Sequence, residues 1–295
     1  MAIASKMPVH PMNAQVAGKL EEVAALLEQQ KANPFRVQAY RNAASTIRNL
    51  PRSVLDVLRE EGLAGLDRLP AIGPVLARAI ATIVNTGRLP MLDRLRGESD
   101  PVALLATVPG IGRKLAERLH EELEIETLED LEAAAHDGRL ERLPGFGEKR
   151  IAGIRDALAA RLAWRGRLQR GQVEEVPPVS ELLDVDREYR EAAAAGRLYR
   201  IAPRRFNPKR EAWLPVLHTW RDGRHYTALF SNTARAHQLG KTRDWVVIYY
   251  DGRDGERQAT VVTATSGPLA GKRVVRGREA ECMEYYRSGA AREKP

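Results

Sequence analysis

Three short segments of this chain share one pattern. LPAIGPVLARAIATI begins at Leu69, VPGIGRKLAERLHEE at Val108 and LPGFGEKRIAGIRDA at Leu143. Each reads apolar, Pro, small, apolar, Gly, then runs into an amphipathic helical stretch. The chemistry this spacing offers is anion binding by the backbone. A glycine at a helix start permits positive φ and lets another molecule come close to the chain. The helix behind it presents unpaired N–H groups and a partial positive charge. Together they make a cradle for a phosphate group. Gly73, Gly112 and Gly147 are the predicted points of approach and of positive φ, with Gly110 and Gly145 preceding two of them and Arg113, Lys114, Lys149 and Arg150 following. Ile72, Ile111 and Phe146 are expected to tie the flanking helices together. A Pro–Gly turn can also do no more than connect two helices, but three copies with matched apolar positions argue for a shared role.

Charge is concentrated rather than spread. The chain carries 47 Lys/Arg and 39 Asp/Glu, a formal charge of +8. Residues 1–195 are nearly balanced at 27 basic and 29 acidic, whereas residues 196–279 hold 17 basic and 7 acidic, net +10. Residues 139–170 hold 9 basic and 3 acidic. Clustered cations suit a polyanionic partner, because they release its condensed counterions. In the basic C-terminal segment the best candidates are Arg204, Arg205, Lys209, Arg210, Lys272, Arg273, Arg276 and Arg278. Arg273 and Arg276 are expected on opposite faces of a strand.

The 295 residues suggest about two domains at ~150 residues each. With 43% hydrophobic residues the chain can build real cores. One cysteine, Cys282, excludes a disulfide framework and a cysteine-based zinc site. No run approaches the ~20 apolar residues of a membrane helix, and MAIASKMPVHPMN lacks a signal-peptide core, so no membrane partner and a cytoplasmic location are expected.

The elements that must carry these residues fall into two textures. Residues 13–165 read as helices: Val16, Leu20, Val23 and Leu27 form one apolar stripe, Asn13 is the predicted N-cap, and Pro34 opens a second helix that stops before Pro51. Residues 171–180 read as a linker, followed by one helix with Ser180 as its predicted cap and Gly196 as its stop. Beyond Gly196, RLYRIAP, WLPVLHTWR, HYTALFSN, DWVVIYY, QATVVTAT and KRVVRGR read as strands between DG-type turns, with TARAHQLG a short helix and ECMEYYR a closing one. The expected fold is multidomain, α and α+β: a helical N-terminal half with three hairpins, then a mixed, mostly-β C-terminal domain. The expected divisions are a tail 1–12, a helical unit 13–98 with the first hairpin, a unit 99–170 with the second and third, a linker and helix 171–195, and a basic β-rich domain 196–295.

The three segments resemble helix-hairpin-helix motifs. More widely, residues 13–160 resemble the N-terminal region of family X DNA polymerases: NPFRVQAYRNAASTIRNLP (33–51) and LPAIGPVLARAIATIVNTGRLPMLDRL look like the lyase domain, and the stretch from Val108 to Arg150 looks like the hairpin domain after it. The resemblance implies DNA as partner, duplex or gapped, in repair or maintenance. It implies a phosphate-facing surface at Arg36, Tyr40, Arg41 and Arg88; Arg78, in the helix after the first hairpin, is a further DNA-contact candidate. It also implies a monovalent cation held by the backbone carbonyls of Ala106, Val108 and Ile111, and no other cofactor.

Two departures bear on activity. The palm that should follow, with its Asp-x-Asp magnesium pair, is absent from this chain. Asp184 and Asp186 lie in a predicted helix, where residues two apart diverge by about 200° and cannot readily share a metal. The lyase step needs a lysine amine, but Val75 and Ala79 stand at the matching positions, and the Arg78 guanidinium stays charged. The C-terminal domain resembles no family closely. His218, His225 and His237 lack a ligand spacing for metal. Arg200, Ser231 and Glu279 echo NAD-using ADP-ribosyl folds, and His237, Asp244 and Glu279 offer a nuclease alternative. Among the aromatics, Trp213, Trp220, Trp245, Tyr226, Tyr249 and Tyr250 are expected mainly in the core. The residues favour a DNA-binding role over catalysis, with the C-terminal half extending the footprint or binding a particular end, gap or partner, and leave any protein partner unknown.

Overall fold

The computed structural model describes residues 10–98, 100–123, 125, 128–162, 176–252 and 255–292. Its first unit packs α1 (Pro11–Gln29), α2 (Pro34–Arg48), α3 (Val54–Asp67), α4 (Pro74–Thr86) and α5 (Pro90–Leu95) around one core that includes Val16, Leu20, Leu27, Ile47, Leu66 and Ile80. The apolar stripe of α1 is buried as its spacing dictates. Its start differs from expectation, since Pro11 opens the helix after His10. Asn13 is instead fully buried: its amide donates to the carbonyls of Leu50 and Arg52 and its oxygen accepts from Val54 N at 2.8 Å. A buried amide with three partners serves better as a clamp on the α2–α3 turn than as a cap.

The second unit packs α6 (Pro101–Leu105), α7 (Arg113–Leu123), α8 (Leu128–His136) and α9 (Glu148–Leu162) around Leu105, Leu119, Leu131, Ile154 and Leu158. Residues 171–175 of the predicted linker lie outside the described residues.

The third unit begins with α10 (Val179–Ala194), which Pro178 precedes, so Ser180 lies inside the first turn and is not the cap. Nor does α10 belong with a linker. Its Leu182, Val185 and Tyr189 share a core with sheet residues Tyr226, Ile248 and Val261. The sheet is a six-stranded antiparallel meander in chain order: β1 (Tyr199–Ile201), β2 (Leu214–Arg221), β3 (Arg224–Phe230), β4 (Val246–Gly252), β5 (Gly255–Thr263) and β6 (Arg273–Val275). Short turns make neighbours in sequence neighbours in space. The helix α11 (Ala234–Gln238) sits between β3 and β4, and α12 (Glu279–Arg292) closes the chain as the residue pattern predicts. Tyr189 pins α10 to the sheet, donating to Pro215 O at 3.0 Å and accepting from Phe230 N at 2.8 Å.

The two faces of the sheet are used differently. One carries α10 and α12. The other, with Ile201, Leu214, Val216, Leu229, Val247 and Tyr249, turns toward the helical half. There His218 Nε2 meets Gln30 Oε1 at 2.9 Å, the Arg94 guanidinium lies 3.6 Å above the Tyr249 ring, and Arg94 also pairs with Glu256. Gly97, at φ +75°, accepts from Arg204 N at 2.7 Å, and a Cβ there would stand 2.7 Å from Ala202 O. Only glycine lets the two segments approach that closely.

Candidate nucleic-acid interface

The three hairpin turns repeat each other bond for bond. Ile72 N donates to Leu69 O at 3.1 Å, Ile111 N to Val108 O at 3.0 Å, and Phe146 N to Leu143 O at 3.2 Å. The helices then begin identically: Ala77 N to Gly73 O, Ala116 N to Gly112 O and Ile151 N to Gly147 O, at 2.9, 2.9 and 3.1 Å. Ile72, Ile111 and Phe146 are buried and tie the helices together, while the Pro and Gly positions at the rim are exposed. Sequence spacing therefore finds the motif correctly.

The glycine roles divide differently from the expectation. Positive φ belongs to the first small residue, at Ala71 (+61°), Gly110 (+85°) and Gly145 (+97°). Gly73 is extended at φ −91°, and Gly112 and Gly147 are likewise absent from the left-handed region. At all three second glycines an added Cβ would meet nothing within 4 Å. The first position makes the turn; the second, at the helix start, keeps the approach to the N–H groups bare.

The second and third hairpins sit side by side. Arg118 Nη1 donates to Pro144 O at 2.6 Å, and a Cβ on Gly145 would touch Leu115 at 3.4 Å. Around the two turns, Arg113, Lys114, Lys149 and Arg150 are exposed. Arg113 pairs with Glu117 at 3.1 Å, and Arg150 donates to Gly145 O across its own turn. The sequence reading missed Arg118 and the effect of Glu148, an exposed anion in the first turn of α9. A carboxylate there competes with phosphate for the helix N-terminus. The second hairpin, opened by Arg113 and Lys114, is thus electrostatically the best of the three; the first offers Pro74 and Val75 instead.

Several predicted contacts lie elsewhere. Arg36 is 7% exposed and pairs with Asp251 at 3.4 Å, so it joins α2 to the sheet rather than facing a phosphate. Burial is the strongest single influence and opposes its charge, but Asp251, Tyr40 and Glu256 together outweigh it and raise its pKa. Tyr40 is buried beside it, its hydroxyl 3.3 Å from Met91 Sδ, and burial pushes its pKa up to about 12. Arg41 is exposed and pairs with Glu28 at 2.6 Å, Arg88 pairs with Asp93 at 2.7 Å, and Arg78 is half-buried on α4. The C-terminal cations stand in different settings. Arg204 is exposed and Arg205 half-buried in the β1–β2 loop, Arg276 lies 4.4 Å over the Trp245 ring, and Arg278 pairs with Glu281 and donates to Pro177 O. Arg273 is turned inward, donating to both oxygens of the buried Asp186 at 2.9 and 2.6 Å and to Asp244 at 2.7 Å. Asp186 is thereby a structural counter-ion, and Asp184 pairs with Arg221 at 3.1 Å.

The residues offered for catalysis are dispersed. His237 Nε2 lies 2.7 Å from Asn232 Oδ1, Asp244 pairs with Arg273, and Glu279 accepts from Gly277 N at 2.9 Å. Arg200 is on edge strand β1, Ser231 follows β3, and Glu279 follows the opposite edge strand β6. Among the described residues no group of three or more His, Cys, Asp or Glu is arranged to hold a metal ion. Burial holds His218 near a pKa of about 3 and His120 near about 4, with the nearby arginine charges adding to the effect. Of the aromatics, Tyr226, Tyr249 and Tyr250 are core residues, whereas Trp220 is 52% exposed. Among the described residues, no helix is long and apolar enough to cross a membrane.

This geometry defines a class: tandem helix-hairpin-helix. The helix-hairpin-helix domain family matches residues 11–89, and the SAM-like helix-hairpin-helix tandem matches residues 64–124 and again 102–160. The chain is also 28% identical over 173 residues, 58% of its own length, to the DNA polymerase/3'-5' exonuclease PolX of Bacillus subtilis (strain 168). It covers 28% of that relative's length. The N-terminal half is a helix-hairpin-helix region similar to that of this family X polymerase.

Proposed function

We propose that this protein grips the phosphate backbone of DNA, duplex or gapped, through its tandem hairpins, with little sequence specificity, in DNA repair or maintenance. The observation that carries the reading is the repeated turn: bare second glycines at three helix starts, with exposed Arg113, Lys114 and Lys149 beside two of them. Similarity to a DNA polymerase supports DNA as the polyanion. The reading assigns this chain a grip and neither polymerase nor lyase chemistry, because Val75 and Ala79 replace the lyase amines and Asp186 is committed to Arg273. It extends to a monovalent cation on the carbonyls of Ala106, Val108 and Ile111; Val108 O already accepts one N–H and keeps its second lone pair for such an ion. The test is binding to scrambled duplexes of equal length over a salt series. Backbone contacts predict a steep salt slope and near-equal affinities. A preference above about tenfold for one sequence, with a flat salt response, would overturn it.

A further inference from the structure

The loop between β1 and β2 holds an aromatic ring out of the protein on a strained backbone. Phe206 is 44% exposed and sits at φ +53°, in the left-handed region that favours glycine. The loop around it is braced. Asn207, itself buried, donates from its side chain to Glu211 O at 2.9 Å and accepts from Glu211 N at 3.1 Å, and Arg210 N donates to Asn207 O at 3.0 Å. Upstream, Arg204 N is bonded to Gly97 of the helical half.

The ring has company of one kind. The His237 imidazole packs on it with centroids 4.5 Å apart and planes 35° apart. His237 is held in turn by Asn232, whose amide donates to Arg205 O at 3.1 Å, and by the edge of Trp213 at 6.4 Å. The Arg205 guanidinium lies 5.3 Å from the Phe206 centroid. The same loop carries Arg204, Lys209 and Arg210, all exposed, against one acidic residue, Glu211. An exposed ring on a braced, strained turn, backed by a second ring in a loop rich in cations, matches the chemistry of an unpaired nucleobase with its phosphates: the base stacks and the phosphates meet the cations.

We propose that Phe206, backed by His237, is a stacking platform for an unpaired base of a DNA strand, with Arg204, Lys209 and Arg210 on the flanking phosphates. The proposal rests on the DNA-binding reading and adds a preference to it. The hairpins hold duplex without regard to sequence; the platform directs the protein to gaps, overhangs or frayed ends.

The experiment uses the full chain with two DNAs labelled with 2-aminopurine: a duplex bearing a short single-stranded gap, with the probe in the gap, and a continuous duplex. The wild type should change the gap probe's fluorescence and favour the gapped DNA. Phe206→Ala should abolish the fluorescence change and weaken gapped-DNA binding about tenfold, as loss of one stacked base predicts. Its duplex affinity and melting temperature should be unchanged, and Phe206→Trp should restore the gap signal. A wild type that binds both DNAs with no response to Phe206→Ala overturns the platform alone. Equal losses on gapped and continuous DNA also overturn it. A wild type that binds neither DNA overturns the hairpin reading, and the platform with it.

Discussion

Arg36 on α2 and Asp251 on β4 form an ion pair at 3.4 Å across the boundary between the helical half and the sheet, with their side chains 7% and 17% exposed. Residues 215 positions apart in the chain thus share one desolvated contact. Arg94 and Glu256 repeat the arrangement beside it. The sheet of the C-terminal unit is therefore seated on the Arg36 part of the surface that the family resemblance assigns to phosphate, while Arg41 stays exposed.

Arg36 is accordingly predicted to be a stability residue. Arg36→Met leaves Asp251 uncompensated and should cost of order 3 kcal/mol in urea unfolding. DNA affinity of the folded variant should stay within about twofold, because the side chain does not reach the hairpin rim. A large affinity loss with an unchanged unfolding midpoint would show that Arg36 contacts phosphate after all.

The two glycines of the second hairpin should fail in different ways. Gly110→Val forces a β-branched residue to φ +85° and should lower stability by more than about 1 kcal/mol. Gly112→Val meets open space and should keep its melting temperature, yet weaken DNA binding roughly tenfold by shielding the α7 N–H groups. Circular dichroism melts run beside binding titrations separate the two. Matched binding losses in the two variants, with matched melts, would contradict the division of roles.

Acid should loosen the protein before its carboxylates titrate. His218 and His120 have folded pKa values depressed to about 3 and about 4, against about 6.5 unfolded. Each contribution is complete above the unfolded value, because only the unfolded ring binds a proton as pH falls below it. Stability is then lost from about pH 6.5 downward toward the folded values, roughly 2 kcal/mol per ring at pH 5. His218→Gln should flatten part of this slope in denaturation curves measured from pH 7 to 5. An unchanged slope would mean that the folded ring takes up its proton at the same pH as the unfolded one.

Borohydride should trap no adduct between this protein and a 5′-deoxyribose-phosphate end. Val75 and Ala79 offer no amine at the start of α4, and Arg78 cannot supply an uncharged nucleophile. A covalent product, mapped by mass spectrometry to a particular lysine, would assign the lyase step to a residue outside this motif.

Local rules made much of this protein legible from its residues. The hairpins, the helix opened by Pro34, the six strands, the short helix α11 and the closing helix α12 all follow from spacing, turn residues and β-branched content, which act within a few residues of themselves. Even so, the spacing predicts positive φ at Gly112 where Gly110 carries that role, because sequence marks that a glycine is needed but not which torsion it serves. The remaining decisions were long-range. Nothing in NPFRVQAYR tells that Arg36 will pair with Asp251 on β4 or that Tyr40 will be buried beside Met91, nor in RVVRGRE that Arg273 will turn in to Asp186 while Arg276 lies over Trp245. Asn13 reads as a cap until the chain brings Leu50, Arg52 and Val54 around it. A charged side chain carries the same signal in sequence whether it meets phosphate or a buried carboxylate. Which it meets is settled by desolvation, and desolvation exists only once the helical half and the sheet have come together.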